Sequence, residues 1–141
     1  MQVVPIIFFC VSVLLAFSTG TSWGTFAILI PIAAAIFNYE AVTLMAMSTA
    51  AVLGGAVCGD HLSPISDTTI LSSAGAGCDH YQHFSTQMPY GAFAAGISAF
   101  AYMVGGILEN GFAGLLAGGI LIVFLLFMIK KKSQSLIHKE I

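Results

Sequence analysis

Apolar residues run along this chain in stretches that are interrupted twice, in the same manner, before two uninterrupted stretches follow. Residues 3–17 are apolar, residues 18–25 are small, polar and glycine-rich, and residues 26–37 are apolar again. The theme then repeats: residues 41–57 are apolar, residues 59–69 are polar, and residues 70–76 return to apolar character. Residues 86–108 and 111–129 carry no such interruption. About 20 apolar residues are needed to cross roughly 30 Å of hydrocarbon, so these last two stretches are predicted to be simple membrane crossings. The interrupted stretches predict either a hairpin dipping into the membrane or a single broken helix.

Ser63-Pro64 reads as a helix start, because proline at the first helical position sacrifices no hydrogen bond and a serine before it can cap the free amides. Gly75 and Gly77 suit the helix end. A helix over residues 64–74 would be roughly 16 Å long, about half a bilayer. Non-helical backbone inside a membrane is tolerated only where protein or a water-filled cavity satisfies its polar groups. Two successive interruptions therefore predict an internal site, with the two breaks close to each other.

Composition agrees with this pattern. Hydrophobic residues make up 58% of the 141 residues and charged residues 7%, against about a quarter charged in ordinary soluble domains. There is no arginine, and the lysines (Lys130, Lys131, Lys132, Lys139) all lie at the C-terminal end. That excludes a nucleic-acid binder, which needs a basic stripe against phosphates. Positive charge stays cytoplasmic, which predicts a cytoplasmic C-terminus, Glu109-Asn110 outside, and a cytoplasmic loop over residues 78–85. Cys10, Cys58 and Cys78 have no paired spacing and are expected to be small buried apolar residues. The first apolar run lacks a basic leader and an A-x-A cleavage signal, so it is expected to stay as a membrane helix.

The polar interruption at residues 59–69 is the most informative part of the sequence. Asp60 and Asp67 are seven residues apart and flanked by His61, Ser63, Ser66, Thr68 and Thr69, which concentrates oxygen ligands where the backbone must unwind. Sodium favours such oxygens together with freed carbonyls and half-helix ends. Taking a carboxylate out of water disfavours its charged form, so a proton and a sodium ion can compete for one site. Asp67 also suits a plain role in the first turn of a helix, where a carboxylate faces free amides. His61 fits either a proton relay or a satisfied polar residue at a helix end. The first interruption has no acid, yet the hydroxyls of Thr21, Ser22 and Thr25 and its glycines suit a cation; the plainer alternative is an interfacial turn with Trp23 in the aromatic belt. His80 and His83 at their spacing make a weak metal pair and are assigned to the loop. Gly55/Gly59 and Gly114/Gly118 are small-xxx-small pairs expected at helix contacts.

Gly20-Thr21-Ser22-Trp23-Gly24-Thr25, the run from Gly59-Asp60-His61-Leu62-Ser63-Pro64 through Ile65-Ser66-Asp67-Thr68-Thr69 to Ser72-Ser73, and Gly75-Ala76-Gly77-Cys78-Asp79-His80 together resemble the NhaC family of sodium/proton antiporters. The resemblance covers nearly the whole chain. It implies an all-α integral membrane bundle with two discontinuous or re-entrant helices, part of an inverted-repeat transporter of the bacterial inner membrane. Residues 1–132 would be its C-terminal transmembrane region and residues 133–141 a short cytoplasmic tail. It implies Asp60, Ser63, Ser66, Asp67 and Thr68 as ion-site positions, with sodium at Asp60 and Asp67, and Thr21, Ser22 and Thr25 as the matching polar break. Transported Na+ and H+ are expected and no cofactor. The expected partners are the lipid bilayer and either the missing N-terminal repeat or a second copy of the chain, without which the chain is not expected to transport.

Three other functions compete. Some NhaC-like proteins are thought to exchange small organic anions such as malate and lactate, but no lysine or arginine precedes Lys130 to clamp an anion. Intramembrane aspartyl proteases also use two acids, but neither Cys58-Gly59-Asp60 nor Gly77-Cys78-Asp79 makes their GxGD motif, so no enzyme is expected. An inactive truncated fragment is the third.

Overall fold

The structure is a computed structural model that describes residues 1–37 and 41–137, with side chains through residue 131. Six helices follow in order: α1 (Val4–Thr19), α2 (Ser22–Ile36), α3 (Val42–Leu62), α4 (Asp67–Gly75), α5 (His80–Ile107) and α6 (Gly111–Ile137). The all-helical membrane bundle expected from the sequence is what the chain forms. Three helices, not two, are long and apolar enough to cross a membrane: Val42–Leu62, His80–Ile107 and Gly111–Lys131. The additional one arises because Gly59, Asp60, His61 and Leu62 continue α3 instead of unwinding. Helix α6 runs on through the lysines to Ile137; of the tail expected over residues 133–141, residues 138–141 lie outside the described residues.

The geometry settles what the first interruption does. Leu29 and Ala33 of α2 share a core cluster with Phe8 and Phe9 of α1 and with Ala51 and Val52 of α3. A helix continuing onward from α1 would carry Leu29 well beyond that level at 1.5 Å per residue, so α2 folds back and the pair is a hairpin. Its apex is Gly20-Thr21. Ser18 and Thr19 remain in α1, their hydroxyls bonded to the carbonyls of Leu14 and Leu15 at 2.8 and 2.9 Å.

Helices α1 and α3 run side by side in the same direction. A Cβ on Gly55 would lie 2.5 Å from the Phe9 carbonyl oxygen and 2.9 Å from Ser12 Cβ, and one on Gly59 would collide with the Val13 carbonyl. The expected Gly55/Gly59 contact is therefore the α1–α3 seam, where only hydrogen fits between two backbones. Gly114 and Gly118 do the same for α5 and α6, both against Ala101. Helix α5 runs opposite to α3, since Gln87 Nε2 donates to the His61 carbonyl at 3.0 Å while the Tyr102 hydroxyl donates to the Ala50 carbonyl at 2.9 Å. Phe9 and Tyr102 close the same end, ring centroids 5.2 Å apart.

The cysteines differ from expectation. Cys10 and Cys78 are exposed and Cys58 is half-buried: Cys10 and Cys58 lie off the faces that α1 and α3 press together, and Cys78 lies in the α4–α5 connection; all three are free thiols.

Gly55→Ala is expected to force α1 and α3 apart and to cost about 1 to 3 kcal/mol, as overpacking of a filled interface does. Gly119→Ala, with nothing within 4 Å of the added carbon, is expected to be neutral. Thermal unfolding in detergent compares the two, and equal melting would show that the seam is not close-packed.

Candidate functional site

The second break is narrower than the sequence suggested. Ser63, Pro64, Ile65 and Ser66 form a tight turn closed by the Ser66 amide on the Ser63 carbonyl at 3.4 Å, with Pro64 in the second position, where its fixed φ is already correct. The helix start read at Ser63-Pro64 is therefore displaced to Ser66-Asp67. Ser66 is the N-cap of α4, its hydroxyl accepting from the Thr68 amide at 3.2 Å. The end came where expected: α4 stops at Gly75, and Gly77 takes a left-handed φ of 63°.

Asp60 projects inward from the last turn of α3 and is 4% exposed. Its Oδ1 accepts the Ser66 hydroxyl at 2.6 Å, and Ser66 Oγ lies 2.7 Å from Thr68 Oγ1. Ser63 and Ser66 are fully buried beside it. Across four non-helical residues, then, the end of one helix and the start of the next are tied by a carboxylate and a serine. Asp67, Thr68 and His61 lie at the same break but on its exposed side. His61 Nδ1 bonds back to the Val57 carbonyl at 2.8 Å, the behaviour of a polar residue satisfied at a helix end.

The two breaks meet. Gly20 has a φ of 68°, and a Cβ there would lie 2.8 Å from the Ile65 carbonyl oxygen. Glycine is required twice over, for the left-handed turn that ends α1 and for the close approach to the other break. Thr21 caps α2 by accepting from the Gly24 amide at 3.4 Å, and Thr25, 1% exposed, donates to the Thr21 carbonyl at 3.0 Å. Ser22 is half-buried in the first turn of α2. Trp23 is 80% exposed beside it. Two helix C-termini and two helix N-termini thus converge on one region, where free carbonyls and amides of opposite partial charge lie together.

His80 is the residue that sequence reasoning misplaced. It opens α5 rather than lying in a loop, because Asp79 caps that helix by accepting from the Gln82 amide at 2.9 Å. Its Nε2 lies 2.7 Å from the Pro64 carbonyl and its Nδ1 3.2 Å from Ser73 Oγ. An aspartate directly before an apolar helical stretch was the signal for the cap, but nothing in the spacing indicates a bond reaching back sixteen residues. A cavity of about 950 Å³ lies elsewhere, lined by Met47, Tyr102 and Glu109 among others near the start of α3, away from these polar groups.

A model of the Na+/H+ antiporter family matches residues 1–107. The chain is 48% identical over 132 residues to an uncharacterized protein of Haemophilus influenzae, covering 94% of this chain and 25% of that protein. It is 38% identical over 92 residues to an uncharacterized Na+/H+ antiporter of the same organism, covering 63% of this chain and 19% of that one. It is 33% identical over 98 residues to the malate-2H+/Na+-lactate antiporter of Bacillus subtilis, covering 70% of this chain and 21% of that protein. The chain therefore spans a quarter or less of the length of these relatives. No solved structure matches it.

Ser66→Ala removes both a cap and the hydroxyl donor to a buried carboxylate, and is expected to cost about 2 to 4 kcal/mol. Asp79→Ala removes an exposed cap alone, and about 1 kcal/mol is expected. Combining Ser66→Ala with Asp60→Asn in a double-mutant cycle should give a coupling above about 0.5 kcal/mol. Simple additivity would mean that the two side chains do not interact.

Proposed function

Because the chain belongs to the Na+/H+ antiporter family, we propose that it forms an ion-binding part of a membrane carrier that exchanges sodium ions for protons, with Asp60 as the group for which the two ions compete. The observation that carries this reading is a buried carboxylate with no cationic partner in reach of sequence: there is no arginine, and no lysine precedes Lys130. An ionised carboxylate buried without a counter-charge is costly, and either a proton or a sodium ion can neutralise it. Mutually exclusive occupancy, combined with alternating exposure of the site, is sufficient for exchange.

Sodium would be held by Asp60 with the hydroxyls of Ser63, Ser66 and Thr68 and carbonyls at the breaks, while Asp67 and His61 complete the site from its exposed side. Thr21, Ser22 and Thr25 face the same region from the α1–α2 hairpin. The carrier fits the NhaC branch of the family, with this chain as a C-terminal part. It would sit in a bacterial inner membrane with Lys130 to Lys132 cytoplasmic, and pair with the rest of the carrier or with a second copy.

A second reading is favoured by one observation, the similarity to a malate-2H+/Na+-lactate antiporter. The two helix N-termini at the breaks could receive a carboxylate as well as the helix C-termini receive a cation. Sodium–proton exchange is preferred because no lysine or arginine precedes Lys130 to fix an anion at the breaks.

In everted vesicles from cells expressing the native gene that encodes these residues, Asp60→Asn is expected to abolish sodium-driven proton movement, since an amide does not titrate. Asp67→Asn is expected to raise the half-saturating sodium concentration by about tenfold while turnover persists, the behaviour of a residue that contributes to binding alone. A malate or lactate gradient applied in place of sodium should produce no proton flux. Full activity in Asp60→Asn would place the ion site elsewhere.

A further inference from the structure

Where α3 ends, its last carbonyls and those of the turn that follows are left without the amides that a continuing helix would supply. Two of them are met from a single distant helix. Gln87 Nε2 donates to the His61 carbonyl at 3.0 Å, and His80 Nε2 lies 2.7 Å from the Pro64 carbonyl. A carbonyl can only accept, so this ring nitrogen carries a proton whatever the state of the other. His80 and Gln87 are seven positions apart on α5, which puts them on one face about two turns from each other. Because α5 runs opposite to α3, the later residue reaches the earlier carbonyl. The two donors therefore hold the break on either side of Ser63, one at the end of α3 and one on the turn.

The His80 ring is itself held. Ser73 Oγ lies 3.2 Å from Nδ1, so rotating the ring breaks its contact with α4. Asp79 fixes the first turn of α5 by accepting from the Gln82 amide at 2.9 Å. What the two donors hold is the frame of the site's hydroxyls. The Ile65 amide donates to Ser63 Oγ and the Ser66 amide to the Ser63 carbonyl, both at 3.4 Å, and Ser66 Oγ donates to Asp60 at 2.6 Å. Amide bonds are commonly 2.7 to 3.2 Å long, roughly, so the two bonds inside the turn are weak ones. Those arriving from α5, at 2.7 and 3.0 Å, are within the ordinary range. The place of the turn thus depends on α5 more than on its own bonding.

We propose that His80 and Gln87 are positioning residues for the sodium site: by donating to the Pro64 and His61 carbonyls they hold the turn from Ser63 to Ser66 where its hydroxyls stand beside Asp60, and so set how tightly sodium is bound. Neither residue touches the ion; each acts through a backbone carbonyl. The inference rests on the antiport reading, in which Asp60, Ser63 and Ser66 hold sodium. What is required of His80 is a fixed donor at the Nε2 position, not a proton that comes and goes. Glutamine meets that requirement, because its amide nitrogen lies as many bonds from Cα as Nε2 does. Asparagine does not, because its amide reaches only as far as Nδ1.

Two measurements on the native carrier test this, using His80→Asn, Gln87→Met and His80→Gln. The first involves no ion flux: deuterium uptake, in sodium-free detergent, by the segment 63–68, whose Ile65, Ser66 and Thr68 amides are bonded within the break. Exchange is expected to quicken about fivefold in His80→Asn and Gln87→Met, the loss of one hydrogen bond's protection, and to stay within about twofold in His80→Gln. The second is sodium-driven proton movement in everted vesicles. The half-saturating sodium concentration is expected to rise about fivefold in the same two variants while the maximal rate stays within about twofold, and His80→Gln should match the unsubstituted protein. Three results would each overturn the proposal: a loss in His80→Gln as large as in His80→Asn, which would mean that histidine is needed for more than a donor; a fall in maximal rate with half-saturation unchanged; or unaltered deuterium uptake in His80→Asn and Gln87→Met. Absence of sodium-driven proton movement in the unsubstituted protein would instead overturn the antiport reading, and with it the link to sodium, while deuterium uptake still reports whether α5 holds the turn.

Discussion

The contact between the backbone of α1 and the glycine face of α3 sets the position of every polar group at the breaks. Gly55 and Gly59 let the two helices touch backbone to backbone, and the same line of contact extends to Gly20 against Ile65. If α1 stood off by the width of one side chain, its hairpin apex would no longer reach the turn after α3. Two helix C-termini and two N-termini would then each need satisfaction separately. Packing therefore comes first here, and the convergence of free backbone dipoles is its result.

Once that seam is fixed, local chemistry accounts for the rest of the site. Ser66 is asked to do two things, to cap α4 and to donate to Asp60, and a hydroxyl can do both because it accepts and donates at once. Gly20 likewise serves both a left-handed turn and a close approach. Buried polar groups at these positions are held by short-range bonds to residues at most six positions away, while α5 adds the long-range ties from Gln87 and His80. Helix α4 is consequently tied to α3 at its start through Ser66 and Asp60, and to α5 near its end through Ser73 and His80.

The breaks were legible in the sequence because glycine, proline and small hydroxyl residues interrupt apolar runs that are otherwise unbroken. Their edges were not. Gly59-Asp60-His61 is polar and reads as unwound, yet it stays helical because Gly59 is in contact with α1 and Asp60 packs inward. Either Ser63 or Ser66 could have capped α4, and proline suits both the first position of a helix and the second of a turn, so the sequence leaves the choice open. The direction of α2 depends on which core Leu29 and Ala33 join, information that no spacing carries. The contacts of His80 with Ser73 and the Pro64 carbonyl are three-dimensional for the same reason. Composition pointed to a membrane protein and the motif resemblance to a sodium/proton antiporter, of which the Na+/H+ antiporter family is shown, whereas the partners of each hydroxyl required coordinates.

The hairpin has a consequence for how the chain is threaded into a bilayer. With 16 and 15 residues, α1 and α2 are each about 23 Å long, short of a full span. Because α2 returns the chain to the side on which α1 began, the pair adds no net crossing. Sidedness among the described residues is then decided by α3, α5 and α6 alone, an odd number, which places the two ends of the described chain on opposite faces of the membrane. Lengthening or shortening the hairpin would leave that parity untouched, so insertion machinery that reads only full-length spans can orient this region without ever registering the segment that carries half of its polar breaks.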